Sequence, residues 1–271
     1  MSSDSGNPKP VKFYNLSLPE RAAHTAEQAS LPAEALAALT GAAGLTPAQA
    51  DKMVENVIGT YALPLGVAQN FVVNGREVLV PMVIEEPSVI AGASFMARLA
   101  RNGGGFTAWT DAPEMIGQMQ VLDTRDPHQA RQALLDHKIE LLAAAAQIDP
   151  LLERLGGGPR DLQVRLIEES PIGPFVVVHL IYDVRDAMGA NAINTATERL
   201  APRIEALTGG RVLLRILSNL ADRRLAHARC TIPLADLAFE NYAAETVRDN
   251  ILAAWAFAAA DPYRAATHNK G

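Results

Sequence analysis

The chain has 271 residues, 49% hydrophobic and 20% charged, with 24 basic against 30 acidic side chains for a formal net charge of −6. This excludes collagen-like, low-complexity and disulfide-rich classes, argues against a nucleic-acid partner, and corresponds to one large or two medium domains. A single cysteine, Cys230, permits neither an intrachain disulfide nor a cysteine-based zinc site and fits a reducing cytoplasm, and no apolar run reaches the ~18 residues of a membrane span. The polar start, MSSDSGNPKP, has no apolar signal-peptide core.

Residues 17–59 read as short helices: one capped by Ser17, one closing on Gly41, and one running from Thr46-Pro47 to Gly59. Asn74-Gly75 between apolar runs 71–73 and 78–80 predicts a hairpin with a type I′ turn. A helix follows over about 87–102, with Val89, Ala93, Met96 and Leu99 or Ala100 in phase, and Gly103–Gly105 ends it. Residues 115–123 read as a strand, and Pro127 opens a long helix with Ala130, Leu134, Leu135, Ile139, Leu142 and Ala146 on its apolar face. Asp149-Pro150 starts a short helix ending at Gly156–Gly158. Strands at 162–168 and 174–184 come next, then the turn DAMGAN (186–191), a helix aligned on Ile193, Ala196, Leu200, Ile204 and Leu207, and a strand at 212–218. The β-α-β-β-α-β order is that of a ferredoxin-like two-layer sandwich. A strand near 228–234 and a helix at 243–260, with Val247, Ile251 and Trp255 spaced by four, plausibly pack back on the N-terminal part, which would make the small unit an insertion. The basic pairs Arg211 with Arg215 and Arg223 with Arg224 read as solvated faces, and 264–271 runs out without a capping element.

Four stretches carry candidate chemistry. DAMGAN joins an apolar strand to a helix, so its backbone N–H groups and the helix dipole suit an anion such as a dinucleotide pyrophosphate; Asn191 or Asn194 equally reads as an ordinary helix cap. No G-x-G-x-x-G is present, and the glycine runs read as helix C-caps, which argues against an ordinary Rossmann domain. Asp149 suits the two ribose hydroxyls of NAD, and equally an N-cap before proline. Glu85-Glu86-Pro87-Ser88 lies between an apolar strand and an apolar helix, where burial would raise a carboxyl pKa toward a range useful for proton transfer; a solvated pair at a helix start is the alternative. Arg264, Thr267, Asn269 and Lys270 include a carboxylate clamp and a possible oxyanion partner, or else form a polar tail. The histidines at 24, 128, 137, 179, 227 and 268 have no metal-ligand spacing, so no metal site is expected.

Together, ENVIGT (55–60), LVPMVIEEPSVIAGAS (79–94), DVRDAMGAN (183–191), RILSNLAD (215–222) and DPYRAATHNKG (261–271) resemble hydroxymethylglutaryl-coenzyme A reductase, in particular its soluble bacterial class II. The resemblance implies an α+β fold with a large domain at 1–111 and 223–271 that binds coenzyme A, and an inserted ferredoxin-like domain at 112–222 that binds the dinucleotide. It implies catalytic roles for Glu86 in proton transfer and for Lys270 in stabilising the oxyanion. Ser88, Asn219 and Arg264, and more weakly Thr267, would line the hydroxymethylglutaryl or mevalonate pocket. Asp186, Met188, Gly189 and Asn191 would meet the dinucleotide, with Asp149 favouring NAD(H) over NADP. The implied reaction interconverts hydroxymethylglutaryl-CoA and mevalonate plus CoA by two hydride transfers, in the mevalonate-degrading direction, in a homodimer or a multiple of dimers. The family's catalytic aspartate and histidine would lie beyond Gly271, so these residues are expected to be the N-terminal part of the family's chain and to turn over poorly alone. The competing expectations are a non-catalytic ferredoxin-like module that binds a small ligand or mediates assembly, and an NADP-using biosynthetic reductase.

Overall fold

The computed structural model describes residues 12–41, 44–84 and 86–270. Contacts divide it into two compact units, one ending at Thr107 and resuming at Arg229, the other Ala108–Ala228. The expected edges at 112 and 222 both fall inside the second unit.

Helices α1 (Leu18–Gln28), α2 (Ala33–Leu39) and α3 (Pro47–Ala50) open the first unit. Each of α1 and α3 starts on a reciprocal cap: Ser17 N–H donates to Glu20 at 2.7 Å, and Thr46 N–H donates to Gln49 at 3.0 Å. The helix predicted to reach Gly59 is only the single turn α3, and Asn56 beyond it is left-handed at φ +58°. Strands β1 (Leu65–Val73) and β2 (Arg76–Val83) form the predicted hairpin, with positive φ at both Asn74 and Gly75 as the tight turn demands. Helix α4 (Val89–Arg101) follows and buries Ala97 and Ala100. Strand β3 (Phe106–Thr110), which the sequence did not announce, runs parallel to β1 at Val73 and Phe106.

The second unit holds β4 (Glu114–Leu122), α5 (Pro127–Asp136), α6 (Lys138–Ala146), α7 (Pro150–Arg154), β5 (Gly158–Ile167), β6 (Phe175–Asp183), α8 (Ala190–Thr208) and β7 (Arg211–Leu217). After it, β8 (Ala226–Cys230), α9 (Ala244–Ala260) and α10 (Pro262–Lys270) complete the chain. There are two four-stranded sheets, ordered β2-β1-β3-β8 and β5-β6-β4-β7. The second is antiparallel at every pairing, so β6 lies between β4 and β5 as the predicted split βαβ order requires. Its helix-side face, with Met119, Leu162, Leu180 and Tyr182, packs on Ile193, Leu200 and Ile204 of α8. Gly117 allows that approach: a Cβ there would stand 2.6 Å from Thr197 of α8.

Two expectations fail for identifiable reasons. The helix over 127–146 breaks at His137, and Ile139 is 84% exposed while Leu141 and Ala145 are buried. At about 100° per residue, Ala130, Leu134, Leu141 and Ala145 form one narrow stripe, and Ile139 lies roughly opposite it. The segment after Asp261 is no polar tail: Asp261 accepts from Arg264 N–H at 2.7 Å and caps α10.

Candidate active site

Glu86 and Lys270, 184 residues apart in sequence, meet in the first unit: Lys270 Nζ donates to Glu86 Oε2 at 2.5 Å. The loop after β2 positions the acid, and the last turn of α10 presents the lysine. Glu86 is exposed, and its pKa moves opposite to the burial-driven rise the sequence suggested. The hydrogen bond from Lys270 and then that residue's charge hold the carboxyl below its ordinary range. Glu85, its neighbour in the candidate pair, lies outside the described residues. Ser88 stands directly before α4 with φ +72°, a left-handed conformation costing a non-glycine residue roughly 1–2 kcal/mol, and its hydroxyl makes no cap bond. Arg264 and Thr267 share α10 with Lys270. Arg264 is exposed without an ion-pair partner among the described residues, while the Thr267 hydroxyl donates back to Tyr263 O at 3.2 Å.

The second unit carries the other candidates. Asp186, Met188 and Asn191 are exposed, and Gly189, at φ +95°, is buried at the entry to α8. Among the described residues no side chain caps that helix start, whose first N–H groups lack a partner within the helix. The turn is anchored from below by Asp183, 2% exposed, which accepts from the backbone N–H of Arg185 at 3.0 Å and from the side chains of Arg185 and Arg160. Burial alone would raise the Asp183 pKa, but these bonds from Arg185 and Arg160 outweigh it and hold it at about 2. A pKa depressed below the ordinary 3.8 means stability that is complete above that value and disappears as the pH falls through about 2. Asp183→Asn is therefore expected to flatten the acid limb of the stability curve and to cost about 3 kcal/mol at pH 7, measured by urea unfolding at pH 7 and pH 3.

Asp149 takes up its capping role: its Oδ1 accepts from Leu152 N–H at 3.0 Å at the start of α7. Its charge, after burial, helps raise Tyr182 to about 12, and the Tyr182 hydroxyl is buried without a hydrogen-bond partner among the described residues. Asn219 is exposed on the loop after β7. The reading of Arg223 and Arg224 as solvated faces is corrected for Arg224: its guanidinium donates to Ala187 O at 2.6 Å and Arg185 O at 3.1 Å. Side-chain bonds to distant carbonyls leave no periodic trace in a sequence, so this residue carried no signal beyond its charge. Also missed was a cavity of about 800 Å³ in the first unit, lined by Lys12, Arg21, Ser88 and Arg98 and, among the described residues, by no carboxylate. Buried Arg21 Nε has no hydrogen-bond partner among the described residues. No group of three or more His, Cys, Asp or Glu able to hold a metal occurs among the described residues, and no helix there is long and apolar enough to cross a membrane.

A sequence model of hydroxymethylglutaryl-coenzyme A reductase matches residues 17–271. Over 259 residues the chain is 49% identical to 3-hydroxy-3-methylglutaryl-coenzyme A reductase of Archaeoglobus fulgidus, covering 96% of this chain and 58% of that relative. It is 31% identical over 189 residues to a probable reductase of the same name from Borreliella burgdorferi, covering 68% of this chain and 41% of that relative. Among solved structures, the Streptococcus pneumoniae reductase superposes with a TM-score of 0.89 at 40% identity, over 95% of this chain and 69% of the other. A structure of that organism's class II enzyme, bound to NADPH in open conformations, gives 0.88 at the same identity and coverage. The chain thus spans little more than half the length of its archaeal relative, within which it aligns almost throughout. On the match across residues 17–271, the chain belongs to the hydroxymethylglutaryl-coenzyme A reductase family.

Proposed function

We propose that this chain carries the Glu86–Lys270 half of the active site of a hydroxymethylglutaryl-CoA reductase, interconverting mevalonate plus CoA and hydroxymethylglutaryl-CoA, in the oxidative direction and as a dimer or a multiple of dimers. The carrying observation is the 2.5 Å contact between an ammonium and a carboxylate 184 residues apart in sequence. An ammonium at that place stabilises an oxyanion developing on a thioester or hemithioacetal carbon, and the adjacent carboxyl takes and returns its proton. Arg264, exposed on the same helix, suits the free carboxylate of mevalonate as a bidentate donor, with Ser88 as an orienting hydroxyl; Asn219 offers an exposed amide on the second unit. The cavity lined by Lys12, Arg21 and Arg98 suits coenzyme A: three cations and an unpartnered buried donor meet anionic phosphates, and apolar walls receive the pantetheine arm.

The turn at 186–191 fits a dinucleotide. Its uncapped N–H groups at the positive end of a 19-residue helix suit a pyrophosphate, and at Gly189 a Cβ would be 2.5 Å from Val184, so the backbone itself forms the surface there. When bound, the nicotinamide carries the hydride. The Asp149 carboxylate accepts ribose hydroxyls and repels a 2′-phosphate, which favours NAD. The NADPH bound to the S. pneumoniae neighbour favours the second reading, NADP use in the reductive direction. Asp149→Ala is expected to shift the ratio of NADPH to NADH affinity by about tenfold toward NADPH; an unchanged ratio would remove Asp149 from selectivity. The reading as a whole is tested by calorimetric titration of the chain with NADH and with coenzyme A. Saturable binding of both supports it, and binding of neither, or of one alone, favours the non-catalytic ferredoxin-like module.

A further inference from the structure

Two side chains outside the candidate set join the loop that carries Asn219 to the turn that precedes α8. The loop leaves β7 at Leu217, whose N–H donates to Asn194 Oδ1 in the first turns of α8 at 2.9 Å. Ser218 N–H then donates to Ile116 O at 2.8 Å, and the loop closes on itself through Leu220 N–H to Ser218 Oγ at 3.2 Å and Ala221 N–H to Asn219 O at 3.1 Å. At its far end Arg224 reaches back, with Nη1 on Ala187 O at 2.6 Å and Nη2 on Arg185 O at 3.1 Å. Asn219 is therefore held between two anchors, and both lie on the strand-to-helix passage at 185–194.

The Arg224 anchor is directional. One planar guanidinium donates to two carbonyls two residues apart, a geometry that a lysine ammonium, as a point charge, does not reproduce. Arg185 is itself fixed at φ +52° by Asp183, so the Arg185 carbonyl is a rigid reference and the Ala187 carbonyl belongs to the exposed part of the turn. A ligand that draws the 186–191 backbone toward itself must then move Arg224 or be resisted by it, and the chain from Arg224 back to Asn219 moves as well.

We propose that Arg224 and Asn194 are positioning residues that couple the dinucleotide turn to the loop that carries Asn219, so that occupancy of the turn orders the loop. This rests on the reading that the turn binds a nicotinamide dinucleotide.

Hydrogen–deuterium exchange of the 217–223 amides, with and without saturating NADH, tests it alongside NADH titration by fluorescence. In the unaltered chain, NADH is expected to slow exchange across 217–223 roughly fivefold or more. In Arg224→Ala, NADH affinity is expected to fall about tenfold, because the turn loses its tether, and saturating NADH no longer slows the loop. Arg224→Lys, which keeps the charge and most of the packing, should bind NADH within about threefold of the unaltered chain yet also lose the protection; it decides the matter if the alanine variant does not fold. A purely structural Arg224 would speed exchange in the variants but leave the NADH-dependent slowing intact, and that result overturns the coupling. So does NADH binding in the unaltered chain without any slowing at 217–223. If the unaltered chain binds neither NADH nor NADPH, the dinucleotide reading itself fails, and the coupling with it.

Discussion

Lys270→Ala is expected to raise the pH at which Glu86 titrates and, on the proposed function, to lower whatever mevalonate-dependent reduction of NAD the chain supports by about 10²–10³-fold, the usual loss when one oxyanion partner is removed. The two effects share a cause but read different atoms. Glu86 is exposed, so little besides Lys270 displaces its pKa: the hydrogen bond first, the charge second, both lowering it. Removing the ammonium therefore returns the carboxyl toward its ordinary range, which carboxyl-carbon NMR across pH 2–7 would follow. In the intact pair the carboxylate persists as the pH falls below the ordinary glutamate range, and the contact is lost only as the pH passes through the depressed pKa. Lys270→Arg separates charge from placement. It should keep Glu86 depressed but still lose turnover, because a planar guanidinium does not put a point charge on the oxyanion. Unchanged Glu86 titration in Lys270→Ala would deny the pairing, and undiminished turnover would deny the role.

Strongly periodic segments were legible in the sequence. Ile193, Ala196, Leu200 and Ile204 are all buried along α8, and the continuous apolar run of β6 belongs to an inner strand that is buried along most of its length. Asn74-Gly75 specified its hairpin because only residues tolerant of positive φ make that turn. Strand β3 was not legible: its five residues show no alternation, and it pairs with β1 at the end of a helix crossover. The stripe read along α9 is also misleading, since Ile251 and Trp255 are 48% and 62% exposed. The site divides the same way. Glu86 and Lys270 came from resemblance, since no local pattern pairs residues 184 apart, and their contact reversed the expected direction of the Glu86 pKa. Arg224 and Asn194 act through backbone atoms of other segments, information that a single sequence holds only in its fold.

Gly189→Ala should be the most damaging single-methyl addition to the dinucleotide turn, and a second glycine on the same helix serves as its internal control. Gly189 and Gly209 are the two ends of α8, both left-handed, at φ +95° and +65°. At Gly209 an added Cβ meets nothing within 4 Å, so Gly209→Ala carries only the conformational penalty, roughly 1–2 kcal/mol. At Gly189 the same atom would lie 2.5 Å from Val184 Cγ1 and 2.9 Å from its Cβ, and Val184 is fully buried in the core. The methyl must displace either the core or the turn, adding about 1–3 kcal/mol of overpacking to the same conformational penalty. The turn, exposed at Asp186, Ala187 and Met188, is the softer of the two. It should yield first and swing the N–H groups of α8 away from the anion they would hold. Gly189→Ala is thus expected to lose about 2–5 kcal/mol of stability and to weaken NADH binding at least 100-fold, roughly 3 kcal/mol of affinity. Gly209→Ala, at the opposite end of the helix, should melt slightly earlier and bind NADH as before. Equal NADH affinities in the two variants would mean that the turn is not where the dinucleotide sits, whatever the melting temperatures show.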